Sequence, residues 1–154
     1  MTARYTLVVL PFTVYRLLTM KYAKIERERR YLLHELPADF SLDAAHSIIV
    51  DRYIRNARFR LRRMTSSTTG ESIYKLTQKF AHTANLAAVQ ITNTYLNERE
   101  YALFAQLPAD ELHKRRYRYG DWVIDVFEGI LTGLILAEQE VASDEELASM
   151  VMPA

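Results

Sequence analysis

The sequence predicts an antiparallel β-barrel or β-sandwich that contains one clear helix. Most of its segments read as short strands separated by turns, an order that favours antiparallel pairing over a parallel βαβ sheet. Several strands carry a charged residue at every second position, and side chains at that spacing share one face. The 154 residues suit one domain, and 49% of them are apolar, which excludes a disordered chain.

Five strands are predicted in the first part of the chain, at residues 24–33, 49–54, 58–64, 72–80 and 86–95. Asn56 lies in the turn between the second and third strands, and the polar segment 65–70 forms the next turn. A short helix over 42–48, capped by Ser41, is predicted between the first two strands.

The clearest helix follows Asn97, a typical N-cap residue, and extends to residue 107. Glu98 and Glu100 in its first turn favour the positive end of the helix dipole, and Pro108 ends it. Three further strands are predicted at 112–119, 122–127 and 134–141, and the acidic segment after Ser143 begins a second helix.

The charged faces of these strands carry both signs. The aligned basic residues are Arg30, Arg58, Arg60, Arg62, Lys75, Lys79, Lys114, Arg116 and Arg118, and the aligned acids are Glu26, Glu28, Asp125, Glu138 and Glu140. A solvated sheet surface accounts for any single strand of this kind, whereas a closed barrel would turn all of them inward around a polar lumen. The excess of four positive charges suits a triphosphate, and carboxylates beside phosphates imply a divalent cation between them.

Several other classes of function are disfavoured. A net charge of +1 is too small for a general nucleic-acid binder, so we expect no nucleic-acid partner. The absence of Cys excludes disulfides, thiolate zinc sites and a Cys nucleophile. No P-loop motif occurs among the glycines, and the four histidines lack metal-ligand spacing.

Residues 1–19 differ in character from the rest of the chain. Their apolar stretch is shorter than the roughly 20 residues of a membrane span, and no small-residue signal cleavage site follows it. We interpret 1–19 as an N-terminal extension, with Met20 as the natural start, and 20–154 as the domain; a membrane-surface or signal role is the alternative. We expect a cytoplasmic protein without a membrane partner, as a monomer or homodimer.

The sequence resembles the CYTH family of triphosphate tunnel metalloenzymes. Residues 25–33 are similar to its Glu-x-Glu-x-Lys signature, with Glu26 and Glu28 in place and Arg30 for the Lys. Later segments follow in the family's order, at residues 58–62, 76–79, 114–117, 122–129 and 133–140. The similarity covers residues 22–143.

The resemblance implies an eight-stranded antiparallel tunnel, mainly β with a few short helices, in a family of inorganic triphosphatases, thiamine triphosphatases and class IV adenylate cyclases. It implies that Mg²⁺ or Mn²⁺ is bound by Glu26, Glu28, Glu138 and Glu140. The implied phosphate-binding residues are Arg58, Arg60, Lys79, Lys114 and Arg116, with Arg30, Arg62 and Lys75 on the same charged faces and Asp125 orienting them. Tyr53 and Lys79 correspond to a Tyr and a Lys beside the catalytic water.

Two features depart from the family pattern. Residues 85–90 carry no acid where the family often has Arg-x-Glu-x-Glu. After the position of residue 154, family members usually continue into another strand and helix. A barrel that is incomplete at the C-terminus is therefore an alternative to the closed one. The functional interpretation is metal-dependent hydrolysis of an inorganic or organic triphosphate. The alternatives are a non-catalytic polyphosphate- or nucleotide-binding module and cyclase-type activity.

Overall fold

A computed structural model of the chain describes residues 6–7, 23–81 and 88–150. The strands in these residues are β1 (Thr6–Leu7), β2 (Lys24–Leu32), β3 (His46–Ile54), β4 (Phe59–Ser66), β5 (Ser72–Ala81), β6 (Ala88–Leu96), β7 (Ala109–Tyr119), β8 (Trp122–Glu128) and β9 (Ile135–Val141). The helices are α1 (Glu98–Phe104), α2 (Asp144–Ser149) and a single 3-10 turn at Gly129–Leu131.

The strands β2 to β9 form a closed antiparallel barrel of eight strands, as the sequence predicts. Their order around the wall is β2, β6, β5, β4, β3, β7, β8 and β9, and β9 pairs back onto β2. This last pairing closes the wall, so neither the sandwich nor the incomplete barrel is what the chain forms. The two-residue β1 pairs with the end of β2, at Tyr31 and Leu32.

The apolar core lies on the outer side of the barrel wall. Trp122 and Ile124 alternate along β8 with residues that face the lumen, so their side chains point outward. They pack with Leu33 and Ala137 in one buried cluster, and the loop after β2 covers this cluster through Leu36, Phe40 and other partly buried side chains. Apolar side chains are also buried on the lumen face, at Ile49, Ile91 and Phe127, so charged and apolar residues line the interior together.

The predicted helix over 42–48 is wrong. The Ser41 hydroxyl accepts a hydrogen bond from the Asp43 N–H (3.3 Å) in a turn, and the chain is already in β3 at His46. The β-branched residues that follow favour a strand, and pairing with both β4 and β7 satisfies the backbone of this segment on two sides.

The predictions for the other helices hold more closely. Asn97 and Glu100 form a reciprocal capping box at the start of α1, although this helix ends at Phe104 rather than at 107. Ser143 caps α2 through the Glu146 N–H. Residues 86 and 87 of the strand predicted at 86–95, and all of 1–19 except β1, lie outside the described residues. No helix within 23–81 or 88–150 has the length and apolar character to cross a membrane.

Candidate functional site

The strand register places the charged residues predicted from sequence on one side of the wall. Lys75 is opposite Arg62, which is opposite Asp51 on the next strand. On the other half of the barrel Arg116 is opposite Asp125. Residues paired directly across a ladder point to the same face, and the apolar cluster occupies the outer one. The charged faces therefore turn inward and form the lumen.

The two glutamates of β2 are bound by basic side chains of the lumen. The Lys79 ammonium donates to Glu26 and lies 3.5 Å from Glu28 Oε1, and the Arg30 guanidinium also donates to Glu28. Burial acts to raise the pKa of Glu26, but the charge and hydrogen bond of Lys79 outweigh it and hold that pKa below its usual range. For Glu28 burial prevails and its pKa is raised despite Arg30 and Lys79. Burial thus makes the ionised form of Glu28 costlier than that of Glu26, although both carboxylates have basic partners.

Asp125 on β8 is the centre of a second cluster. Arg116 donates to both of its carboxylate oxygens, at 2.7 and 2.6 Å, and Lys114 donates to it as well. Arg116 also lies 2.6 Å from Glu138, which accepts from Arg30 Nε at 2.9 Å. Burial opposes ionisation of Asp125, yet the hydrogen bond from Arg116 and the charge of Lys114 hold its pKa low. Glu138 thus links this cluster to the β2 glutamates.

Asp51 is a lumen residue that the sequence analysis missed. Its side chain is fully buried, and Arg62 donates two hydrogen bonds of 2.6 Å to it, one to each oxygen. Burial opposes ionisation, but Arg62 holds the pKa of Asp51 below its usual range. The sequence contains a pattern that could have identified Asp51. Ile49, Asp51 and Tyr53 share a face of β3, so one acid lies between two large apolar side chains, as Asp125 does in β8.

Two cations of the lumen remain without full compensation. The Lys75 ammonium has no hydrogen bond or ion pair with any residue that the structure describes. The buried Nε of Arg60 lacks an acceptor and lies 3.7 Å from Asp51 Oδ1. Burial, together with the charges of the neighbouring Arg62 and Arg60, lowers the pKa of Lys75 to about 8. This part of the lumen therefore carries positive charge that the described side chains neutralise only in part.

Three predicted site residues lie away from these clusters. Arg58 precedes β4, is exposed, and places its guanidinium 4.3 Å from the centre of the Phe80 ring. Glu140 lies at the rim, where Lys24 binds it at 2.7 Å. Tyr53 is exposed and is opposite Arg60 in the ladder, with no described contact to Lys79. The assignment of Tyr53 and Lys79 to one catalytic pair stays a prediction.

Arg118 lies at the same rim as Glu140. It is the last basic residue of β7 and is exposed. Together with Gln139, Glu140 and Glu146 it lines an open cavity of about 600 Å³. This cavity adjoins the end of the barrel rather than its interior.

The predicted metal ligands have suitable chemistry but are occupied by basic side chains. Glu26, Glu28, Glu138 and Glu140 offer only carboxylate oxygens, the donors that Mg²⁺ and Mn²⁺ prefer. Within 23–81 and 88–150, no three His, Asp or Glu side chains are grouped so that they could hold a metal ion. Glu28 is directly opposite Glu140 in the β2–β9 ladder, a like-charge pair that a cation between the strands would relieve. The carboxylate chemistry of this set would suit a hard divalent cation, but the set would be open to one only if Lys79 and Arg30 turned to another anion.

Comparison with known proteins finds similar solved structures, including the following two. The crystal structure of the hypothetical protein NE1496 is 22% identical, with 83% of this chain and 84% of that chain covered and a TM-score of 0.48. The crystal structure of the inorganic triphosphatase NE1496 is 21% identical, with 83% and 81% covered and the same TM-score of 0.48. No family model and no curated protein matches the chain. Likeness at this level carries no argument about activity, so the fold stands on the strand pairing and the function is a proposal.

Proposed function

We propose that the chain binds a triphosphate in the barrel lumen and hydrolyses it with the help of a divalent metal ion. The observation that carries this proposal is the pair of incompletely compensated cations, Lys75 and Arg60, on the lumen faces of adjacent strands. Half-buried cations whose charges are only partly balanced are costly, and an anion of several charges would reduce that cost. Lys75 and Lys79 share the lumen face of β5, so a chain of phosphates lying along this strand would extend from the pair toward the glutamates that Lys79 binds.

Binding would rearrange the ion pairs of the lumen. Phosphate oxygens would draw Lys79 and Arg30 away from Glu26 and Glu28, because a phosphate offers more acceptors than one carboxylate. The two glutamates, with Glu138, would then hold Mg²⁺ or Mn²⁺, which supplies charge neutralisation to the phosphate oxygens when bound. Lys79 and Arg60 would stabilise the negative charge that develops as the terminal phosphoryl group is transferred to water.

The first test is phosphate release from tripolyphosphate and ATP, each with Mg²⁺ or Mn²⁺. Glu28→Gln keeps the size of the side chain and removes its charge, so we expect metal-dependent release to fall by about 100-fold or more. Glu35→Gln, the same change at an exposed position outside the barrel wall, is the matched control and should have no effect. Unchanged release in Glu28→Gln would contradict the metal assignment. A cyclic nucleotide product from ATP would point to cyclase chemistry instead.

A second candidate function is a binding module without turnover. It is favoured by the observation that the glutamates Glu26, Glu28 and Glu138 are all engaged by basic side chains. Lys79→Ala separates the two functions. In an enzyme this change should lower turnover more than binding, because Lys79 acts on charge that forms in the transition state. In a binding module the wild type shows no turnover, and Lys79→Ala weakens binding about as much as Arg60→Ala does.

A further inference from the structure

Lys75 is the one lysine of the described residues whose ammonium group is without a partner. It has no hydrogen bond and no ion pair within 23–81 and 88–150. The other three lysines of these ranges are each bound to an acid: Lys24 to Glu140 at 2.7 Å, Lys79 to Glu26, and Lys114 to Asp125. An ion pair holds the proton on a lysine, so Lys75 is the described lysine whose nitrogen is free to react.

The surroundings of Lys75 favour the uncharged amine. Lys75 lies opposite Arg62 in the β4–β5 ladder and diagonal to Arg60, and diagonal neighbours are within reach of long side chains. The groups that act on its charge are Arg60 and Arg62 of β4, Arg116 of β7 and Glu26 of β2; Tyr95 of β6 is directly opposite it, and Asp51 of β3 is bound to Arg62. Burial and the arginines lower the pKa of Lys75 to about 8, and the unprotonated amine that forms near that pH is the nucleophilic form of a lysine.

Arg60 supplies a second, independent feature of the same part of the lumen. Its buried Nε has no acceptor and lies 3.7 Å from Asp51 Oδ1. Both oxygens of Asp51 are already engaged, because Arg62 donates to each of them at 2.6 Å. A buried donor without an acceptor is costly. The strand pair that carries Lys75 therefore lacks an anionic oxygen beside Arg60.

We propose that Lys75 is a carbon dioxide site, where its amine forms a carbamate whose oxygens accept hydrogen bonds from Arg60 and Arg62. The nitrogen lone pair forms a bond to the carbon of CO₂, one C=O electron pair moves onto oxygen, and the proton released from nitrogen passes to water. Nothing is oxidised or reduced. The product carries one negative charge, so the arginines that oppose the ammonium stabilise the carbamate through charge-assisted hydrogen bonds.

Carbon dioxide can reach this amine from solvent. Lys75 lies near the start of β5, at the end of the barrel where Tyr95 is 71% exposed and Ile73 is 52% exposed. CO₂ is small and uncharged, so the arginines do not oppose its entry as they would oppose the entry of a cation.

Carbamate formation would regulate the proposed function. It turns Lys75 from a cation into an anion, so the carbamate competes with a triphosphate for Arg60 and repels it. Carbon dioxide and triphosphate should each weaken binding of the other, since such coupling is reciprocal. This consequence rests on the proposed function, whereas the carbamate itself does not.

Carbon-13 NMR of the whole chain with ¹³C-labelled bicarbonate, at about pH 8, tests the carbamate, whose carbon is resolved from CO₂ and bicarbonate. The α-amino group of the chain also forms a carbamate, so the assignment uses the signal that Lys75→Arg and Lys75→Met remove. Trapping the carbamate as its ethyl ester with triethyloxonium, followed by peptide mass spectrometry, locates it in the wild type without any substitution. We expect the ester at Lys75 and none at Lys24, although Lys24 is exposed.

Arg60→Met removes the donor that the carbamate would satisfy. A hydrogen bond between charged groups is strong enough that its loss should lower the affinity of Lys75 for CO₂ by about tenfold or more. Arg63→Met is the matched control, because it makes the same change on the exposed outer face of β4 and should leave that affinity unchanged. The site is overturned by the absence of a carbamate at Lys75, by equal labelling of Lys75 and Lys24, or by equal effects of the two methionine variants.

Titration of the carbamate signal with tripolyphosphate separates this inference from the proposed function. Tripolyphosphate that binds in the lumen should abolish the Lys75 signal. If calorimetry shows that tripolyphosphate binds but no carbamate forms, the carbon dioxide site fails and the proposed function stands. If the carbamate forms and tripolyphosphate neither binds nor displaces it, the proposed function fails and the carbon dioxide site stands.

Discussion

Lys75 is set apart from the other lumen cations by the groups that surround it. Arg62 and Arg60 face it from β4, Arg116 acts on it from β7, and Glu26 on β2 is the one acid that supports its charge. Tyr95 is opposite it on β6. Burial and the arginines lower its pKa to about 8, so the ammonium loses its proton near physiological pH. A bound phosphate would hold the proton in place.

We therefore predict that triphosphate affinity falls as the pH rises through about 8, because Lys75 becomes neutral in the free protein. The measurement is the dissociation constant of tripolyphosphate by calorimetry between pH 7 and 9, at constant ionic strength. Lys75→Arg is the control, since an arginine stays charged throughout and the ligand's own protonation is common to both proteins. Parallel pH profiles for the two proteins would contradict the assignment.

The Asp51–Arg62 pair joins two elements, β3 and β4, across the lumen face. Both side chains are buried and both carboxylate oxygens accept from the guanidinium. Removing one partner of such a pair leaves the other charge uncompensated, which costs about 3–5 kcal/mol. We predict that Asp51→Asn lowers the free energy of unfolding by that amount, measured by urea denaturation.

The matched control is Asp110→Asn, which breaks the exposed pair with Arg55 and should cost about 0–1 kcal/mol. A pH series checks the same pair independently. The folded pKa of Asp51 lies below its unfolded value, so its stabilisation is present above the unfolded pKa and is lost as the pH falls through the folded one. Equal effects of the two substitutions would show that burial does not decide the strength of the pair.

At the level of elements, most strands were predictable because charged and apolar residues alternate in them. The alternation in β4, β5 and β7 sets both the secondary structure and the face that turns inward. The helix prediction at 42–48 was wrong because it used only local helix propensity. That propensity does not take into account the pairing of β3 with both β4 and β7. Arg58 shows the same limit at a site residue, because its contact with Phe80 depends on how the chain enters β4.

Across the whole molecule, buried charges lie inside the barrel wall and a buried apolar cluster of Trp122, Ile124 and neighbouring side chains lies outside it. A lumen of this kind contributes little to stability by itself, since the loss of hydration of the charges offsets much of their attraction. Lys75 and Arg60, whose charges are only partly compensated, are therefore expected to lower the stability of the free protein.

It follows that tripolyphosphate should stabilise the entire fold. A ligand present at about 100 times its dissociation constant adds about 2.7 kcal/mol to the free energy of unfolding, which for a chain of this length raises the melting temperature by about 5–10 °C. The measurement is thermal unfolding by circular dichroism with and without tripolyphosphate. Sodium chloride at equal ionic strength is the reference, because it screens surface charges equally and its monovalent anion cannot bridge Lys75 and Arg60 as a multivalent phosphate would.

The double variant Arg60→Met and Lys75→Met assigns the effect to the lumen. Methionine has an unbranched side chain like those of arginine and lysine but carries no charge. The substitutions therefore relieve the repulsion from Arg62, and the unliganded variant should melt at the temperature of the wild type or above it. Its melting temperature should then respond to tripolyphosphate no more than to sodium chloride at equal ionic strength. A variant that still gains stability from tripolyphosphate would place the anion elsewhere on the molecule, on the exposed basic side chains such as Arg118 rather than among the strands.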